Sequence, residues 1–214
     1  MARLRAQAIA SAGVVESGNS AVIVTVAPGG EVLDRRRVDL THGLPTHPHH
    51  HEGSWAVGRY LKTPGARAMP LAEVIKLVEH VRVAAEQGAR DILEVLAAAV
   101  AVPIGSIALR ACPALPPTIE QRIRDNRAQT VADTVMYREA LASAATARGW
   151  AVHWYERDQV TRAAAAVLGV ENVDAFLRAL GRSLGPPWQA AHKLATVAAL
   201  AALRHPRTSH LGDR

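Results

Sequence analysis

The sequence has a single cysteine and few aromatic residues. Cys112 is the only cysteine among 214 residues, so no disulfide can form within the chain and a disulfide-stapled secreted scaffold is excluded. A zinc site built from several cysteines is excluded for the same reason. Aromatic residues make up 4% of the chain although 49% of it is hydrophobic. That balance favours tightly packed helices over an aromatic-rich β-sandwich.

Long apolar runs are also missing. No charge-free run reaches the roughly 18 apolar residues that a membrane span needs, so we expect no membrane segment. Arg3 and Arg5 precede a short apolar run, but Gln7, Ser11 and Glu16 interrupt it. A signal peptide is therefore not expected, and the expected location is the cytoplasm.

The charge balance is basic. The chain holds 25 Lys and Arg against 19 Asp and Glu, a net charge of +6, and its pI is near 10.2. Such a charge suits a polyanionic partner, such as DNA or RNA. The excess of Arg over Lys, with abundant Ala, Gly and Pro, is also typical of high-GC bacteria, so composition alone is the alternative explanation.

The pattern of residues predicts an α/β chain. The segment SAVIVTVA is the clearest strand, and a Pro-Gly-Gly turn follows it. The next strand mixes polar and apolar residues on both faces, so we expect it at a sheet edge. The predicted strands are 7–15, 20–27, 31–40, 105–111 and 150–155, and the predicted helices are 71–100, 118–148, 161–169, 172–184 and 188–203. We expect one domain over residues 1–204, with a long His-rich loop at 41–70 and a flexible tail at 205–214.

This order of elements resembles the RNase H-like fold, particularly its RuvC-like resolvase and nuclease branch. The segment VVESGN places Glu16 where that family has a carboxylate ending the first strand, ahead of a glycine turn. His192 matches a metal-binding position near the start of the closing helix. The resemblance implies a mixed five-stranded sheet flanked by helices, with three N-terminal antiparallel strands. It also implies a nucleic-acid substrate and a divalent metal, Mg²⁺ or Mn²⁺ rather than Zn²⁺.

Three features differ from the family's pattern. The first carboxylate is Glu rather than Asp, and no Asp lies near His192. The central strand ends in Arg110, Ala111 and Cys112, where the family usually has an acidic residue. Two-metal phosphodiester chemistry needs several carboxylates around cations about 4 Å apart. Either the missing ligands come from elsewhere in the chain, or the site is degenerate.

A His-rich segment, THPHHHEG at residues 46–53, is the strongest local candidate site. Imidazoles bind transition metals, and Glu52 adds an oxygen ligand or a general base. In an extended segment His49 and His51 face one side, while His50 and Glu52 face the other. The alternative is a solvated loop with adventitious metal affinity. The candidate catalytic residues are thus Glu16, Glu52 and His192, and the candidate metal ligands are Glu16, His50, His51, Glu52, Asp133 and His192.

Asp133 enters that set through a polar stripe on the predicted helix 118–148. Asp125, Gln129, Asp133 and Tyr137 recur every four residues and share one face. A carboxylate from this stripe could replace the one missing from the central strand. The favoured alternative is an exposed face with intrahelical pairs, Asp125 with Arg122 and Asp133 with Arg138.

Candidate nucleic-acid contacts come from basic and aromatic residues. Arginines can track a phosphate backbone, and Trp55 can stack on bases. A solvated surface is the common alternative for the arginines, and covering the core is the alternative for the tryptophan. The candidate set is Arg35, Arg37, Arg122, Arg124, Arg127 and Trp55.

Three functional interpretations remain open. A metal-dependent nuclease requires Glu16, His192 and the His-rich segment in one pocket. A non-catalytic RNase H-like module that binds nucleic acid or protein would leave them scattered. A small-molecule metalloenzyme would bring three His or Glu side chains together away from the basic face. A homodimer is compatible with each interpretation.

Overall fold

The structure is a computed structural model that describes residues 8–50 and 69–203. Within these ranges the chain forms five strands and six helices, in the predicted order except that one predicted helix is divided in two. The strands are β1 (Ala10–Ser17), β2 (Ser20–Val26), β3 (Val32–Asp39), β4 (Ile104–Arg110) and β5 (Ala151–Tyr155). The helices are α1 (Leu71–Ala99), α2 (Ile119–Arg124), α3 (Asn126–Ala147), α4 (Val160–Leu168), α5 (Val173–Leu184) and α6 (Ala190–Ala202).

The strands form one mixed sheet in the order β3-β2-β1-β4-β5. The first three strands pair antiparallel through tight turns, because apolar β-branched residues flank short Gly-containing connections. β4 and β5 each join parallel to their neighbour, which requires a helical crossover before each of them. This arrangement confirms the predicted α/β architecture, a mixed five-stranded sheet with three N-terminal antiparallel strands, and places β3 at an edge, as its mixed faces predicted.

Helices cover both faces of the sheet. One apolar core lies between the sheet and α1 with α3, and a second lies between the sheet and α6 with α4 and α5. In the second core α6 packs closely against β1, because a Cβ added to Gly13 would lie 1.9 Å from the carbonyl oxygen of Ala195. Within the described ranges no helix combines the length and apolar character needed to cross a membrane.

One predicted element differs in kind from the structure. The helix expected over 118–148 is two helices, because Asp125 takes an extended conformation between them. Its carboxylate accepts hydrogen bonds from the backbone N–H groups of Arg127 and Ala128, at 2.8 and 2.9 Å. Asp125 therefore caps α3, as Asp does at helix starts. Thr118 and Gln121 form a capping box at the start of α2.

Candidate functional site

The carboxyl ends of three strands meet at one edge of the sheet. Because β4 runs parallel to β1 and β5 runs parallel to β4, Glu16, Arg110 and Tyr155 all lie at this edge. Residues from the middle of α3 and from the first turns of α6 line cavities there together with Glu16. We call this region the carboxyl edge, and it is where the resemblance implies a metal site.

A buried ion pair joins the ends of β1 and β4 at the carboxyl edge. Arg138 on α3 donates from Nε to Glu16 Oε1 at 2.7 Å and again from Nη2 to the same oxygen. Its Nη1 donates to the carbonyl of Ala111 at 2.9 Å. The side chains of Arg138 and Glu16 are only 6% and 5% exposed. The charge of Glu16 is therefore balanced inside the protein, in a geometry that also satisfies the guanidinium.

The described residues at this edge do not fit the divalent metal that the resemblance implies. Oε1 of Glu16 already accepts hydrogen bonds from Arg138. β4 ends in Arg110, whose charge repels a cation. Glu156 lines the cavity between this edge and α3, but it is exposed, beyond the end of β5. Across residues 8–50 and 69–203, no three His, Cys, Asp or Glu side chains are grouped so as to hold a metal ion.

Two cavities open on opposite faces of the carboxyl edge, and Glu16 and Arg110 line both. The α3-side cavity has a volume of about 540 Å³ and also touches Cys112, Arg138 and Glu156. The α6-side cavity has a volume of about 360 Å³, and its other lining residues are Val15, Tyr155, Arg157, Thr161, Ala190, Ala191 and Leu194. Both cavities are therefore bounded by arginine.

The groups of the α3-side cavity are poorly suited to nucleophilic chemistry. Burial raises the pKa of the Cys112 thiol, although the nearby Arg138 guanidinium acts in the opposite direction. A thiol becomes a good nucleophile when its pKa is lowered, because the thiolate is the reactive form. Cys112 is therefore poorly suited to act as a nucleophile.

The polar stripe on α3 holds the start of the His-rich segment. His49 donates to Asp133 Oδ1 twice, from Nδ1 at 2.7 Å and from its backbone N–H at 3.0 Å. His50 Nδ1 donates to Gln129 Oε1 at 3.0 Å. Tyr137 donates its hydroxyl proton to the carbonyl of Thr46 at 3.0 Å, and burial raises its pKa to about 12.

The favoured alternative for this stripe, an exposed face with intrahelical pairs, is wrong. Gln129 and Asp133 are only 3% and 2% exposed. Arg138 pairs with Glu16 rather than with Asp133, and Asp125 is used as a helix cap. Spacing placed these residues on one face but could not show that a loop covers it.

Removing the Asp133 carboxylate should release this loop. In Asp133→Ala the buried His49 loses the acceptor for both of its donors, and each unsatisfied buried donor costs about 1–3 kcal/mol. We expect a lower free energy of unfolding and faster hydrogen exchange at the His49 amide, measured by denaturation and by NMR. Asp133→Asn keeps an oxygen acceptor and should lose less. Unchanged exchange in Asp133→Ala would contradict this role.

His192 is separate from both cavities. Its Nδ1 accepts the backbone N–H of Gln189 at 3.3 Å at the start of α6, and its ring lies 6.2 Å from that of Trp188. Burial and the charge of Arg35 lower its pKa. His192 lines neither cavity that Glu16 lines. The structure therefore does not bring these two candidate catalytic residues into one pocket.

The remaining candidate metal and catalytic residues divide into two groups. His50 is bound to Gln129 and Asp133 to His49, both on the α3 stripe, whereas Glu16 is bound to Arg138. His51, Glu52 and the candidate base-stacking residue Trp55 lie outside the described residues. Their roles in metal binding, catalysis and nucleic-acid binding stay predictions.

The candidate nucleic-acid arginines mostly have partners within the chain. Arg35 donates to the carbonyls of the α5–α6 connection, at Leu184, Gly185, Pro186 and Pro187. Arg37 donates to the Ser20 hydroxyl and Arg122 to the Pro116 carbonyl, while Arg124 pairs with Glu120. Arg127 is exposed. Because a guanidinium saturated by carbonyls has few donors left for phosphate, Arg35 is the least available of this set.

The sequence did not predict that two arginines, Arg138 and Arg157, lie at the carboxyl edge. Arg138 lies 122 residues from its partner Glu16, and no local pattern links them. Arg157 follows the last strand and lines the α6-side cavity. A signal for Arg138 existed, because apolar Val135, Ala142 and Leu141 surround it at helical spacing, which indicates a buried charge in need of a partner.

Comparisons with known proteins give structural similarity alone. No family model matches the sequence, and no curated protein matches it. The chain is similar to the solved structure of Thermus thermophilus RuvC, with a TM-score of 0.45, 14% identity, and coverage of 91% of this chain and 94% of that chain. It is also similar to T. thermophilus RuvC in complex with a Holliday junction substrate, with a TM-score of 0.43 and 14% identity over 91% of this chain and 93% of that chain.

Proposed function

We propose that this chain is a non-catalytic RNase H-like module that binds nucleic acid at the carboxyl edge of its sheet. The observation that carries the proposal is the buried pair of Glu16 and Arg138. In this pair the Arg138 guanidinium binds the Glu16 carboxylate, which is the position where the family has a metal ligand. The carboxyl edge is therefore available for binding phosphate, and its described residues do not include the groups for cleaving a phosphodiester.

The argument against catalysis is one of charge. Two-metal hydrolysis needs several carboxylates to hold both cations and stabilise the attacking and leaving oxygens. Here the described carboxylate at the end of β1 is neutralised, and β4 contributes Arg110 in place of a second one. A cation bound by Glu16 would lie next to the Arg138 guanidinium that holds its Oε1, and two like charges this close repel each other.

The argument for nucleic acid is also one of charge. The chain carries +6, and exposed Arg110 and Arg157 remain at the carboxyl edge once Glu16 is neutralised. Contacts from arginine to phosphate provide most of the sequence-independent affinity of proteins for DNA and RNA. A protein-interaction module, the other form of the non-catalytic interpretation, does not require unpaired arginines at this edge.

Binding and cleavage assays on the same oligonucleotides test the proposal. We expect fluorescently labelled single-stranded and duplex DNA and RNA to bind, with an affinity that falls steeply between about 50 and 200 mM salt. Binding should persist in EDTA, because it needs no metal. Incubation with Mg²⁺ or Mn²⁺ should give no cleavage products from wild type.

The opposite results are distinct. Metal-dependent cleavage that Glu16→Gln abolishes would establish the nuclease and overturn the non-catalytic assignment. Absence of binding at low salt would remove the nucleic-acid assignment. Cleavage that Glu16→Gln leaves unchanged, and that disappears on further purification, identifies a contaminant and leaves the binding result to decide.

A further inference from the structure

Two arginines line the α6-side cavity. Arg110 ends β4 and Arg157 follows β5, and both line this cavity. Within the described part of the chain, neither guanidinium makes a hydrogen bond or ion pair. Most other arginines considered above are engaged by carbonyls or carboxylates, so this pair differs from them in having no such partner among residues 8–50 and 69–203.

The charges around this cavity favour an anion. Glu16 is the acidic residue among its lining groups, and Arg138 neutralises that carboxylate from the other face of the sheet. Tyr155 is neutral, since burial raises its pKa to about 12, and its hydroxyl donates to the Val14 carbonyl at 3.1 Å. Among the described lining residues, two positive charges are thus left without a counter-charge.

The remaining polar group also suits an oxyanion. Thr161, in the first turn of α4, lines the same cavity and is exposed. A threonine hydroxyl donates readily to phosphate oxygens, and arginine presents paired N–H donors to the same oxygens. A volume of about 360 Å³ accommodates a phosphate group with an attached sugar.

We infer that Arg110, Arg157 and Thr161 form a phosphate-binding site on the α6 side of the carboxyl edge. The inference rests on the proposed function for its ligand, a backbone phosphate of a nucleic acid. The shared chemistry with a free phosphate monoester is the tetrahedral oxyanion, so the test must separate the two sources. The site acts by binding and orienting phosphate, with no bond made or broken.

The test uses the full chain and a matched set of variants. Arg110→Gln/Arg157→Gln removes both charges, Arg110→Lys/Arg157→Lys keeps them, and Arg148→Gln removes a charge at the opposite edge of the sheet, just before β5. Circular dichroism confirms that each variant is folded. Binding is measured with inorganic phosphate, by ³¹P NMR, and with a labelled single-stranded oligonucleotide over a series of salt concentrations.

For the oligonucleotide we expect Arg110→Gln/Arg157→Gln to bind roughly tenfold more weakly, with the slope of log affinity against log salt reduced by about 1.4 for two lost contacts. Arg148→Gln should keep the wild-type slope, and the double lysine variant should recover most of it. An unchanged slope in the double glutamine variant overturns the site while leaving the proposed function in place. No oligonucleotide binding by wild type, with phosphate binding lost in the double glutamine variant, supports the site and overturns the proposed function.

Discussion

Replacing Arg138 with methionine is expected to lower the free energy of unfolding by about 3–5 kcal/mol, because one member of a buried ion pair is removed. Glu16, whose side chain is 5% exposed, would keep its charge without a partner. The carbonyl of Ala111 would also lose its hydrogen bond from Nη1. Urea denaturation followed by circular dichroism measures the loss directly.

An exposed pair provides the matched control for that variant. Arg124 and Glu120 also form an ion pair, but their side chains are 57% and 50% exposed. Arg124→Met should therefore change stability by no more than about 1 kcal/mol, because solvent already screens the pair. If Arg138→Met were as mild as Arg124→Met, the buried pair would not hold the carboxyl edge together.

Gly13→Ala should be the most disruptive single-methyl change in the described sheet. The added Cβ would lie 1.9 Å from the Ala195 carbonyl oxygen and 2.6 Å from the Ala199 amide nitrogen. Both are backbone atoms of α6, so the helix itself must move away from β1. Overpacking of this kind costs about 1–3 kcal/mol and sometimes more, and we expect a loss at or above the top of that range.

Gly29→Ala is the control for the methyl group itself. A Cβ at Gly29 meets nothing within 4 Å, so we expect a change in the melting temperature close to zero. Gly13→Ala should lower the melting temperature by several degrees or prevent folding. Equal melting temperatures for the two variants would mean that α6 does not pack against β1 at this distance.

The sequence predicted the sheet well because its strands carry strong local signals. The β-branched run of β2 and the Gly-containing turn after it indicate a hairpin without any tertiary information. Helices between β3, β4 and β5 then require parallel crossovers. The break at Asp125 was missed because a capping aspartate and an aspartate on a helix surface look alike in sequence.

The candidate site was only partly predictable. Glu16 was found through the resemblance, because the segment VVESGN matches the family's carboxylate ahead of a glycine turn, and β1 does end at the next residue, Ser17. Arg138, the partner of Glu16, was instead predicted to pair with Asp133, because intrahelical spacing is visible in the sequence and a contact across 122 residues is not. In the structure Asp133 is bound by His49, and Arg138 is bound to Glu16 instead.

A double-mutant cycle on Glu16 and Arg138, measured by urea denaturation in EDTA and in excess Mn²⁺, tests the central claim most directly. The set is wild type, Glu16→Gln, Arg138→Met and the double variant, which separates the pair's coupling from each single loss. We expect a coupling energy of about 2 kcal/mol or more, the same in EDTA and in Mn²⁺. A coupling near zero, with Mn²⁺ stabilising wild type but not Glu16→Gln, would show that Glu16 serves a metal and contradict the claim.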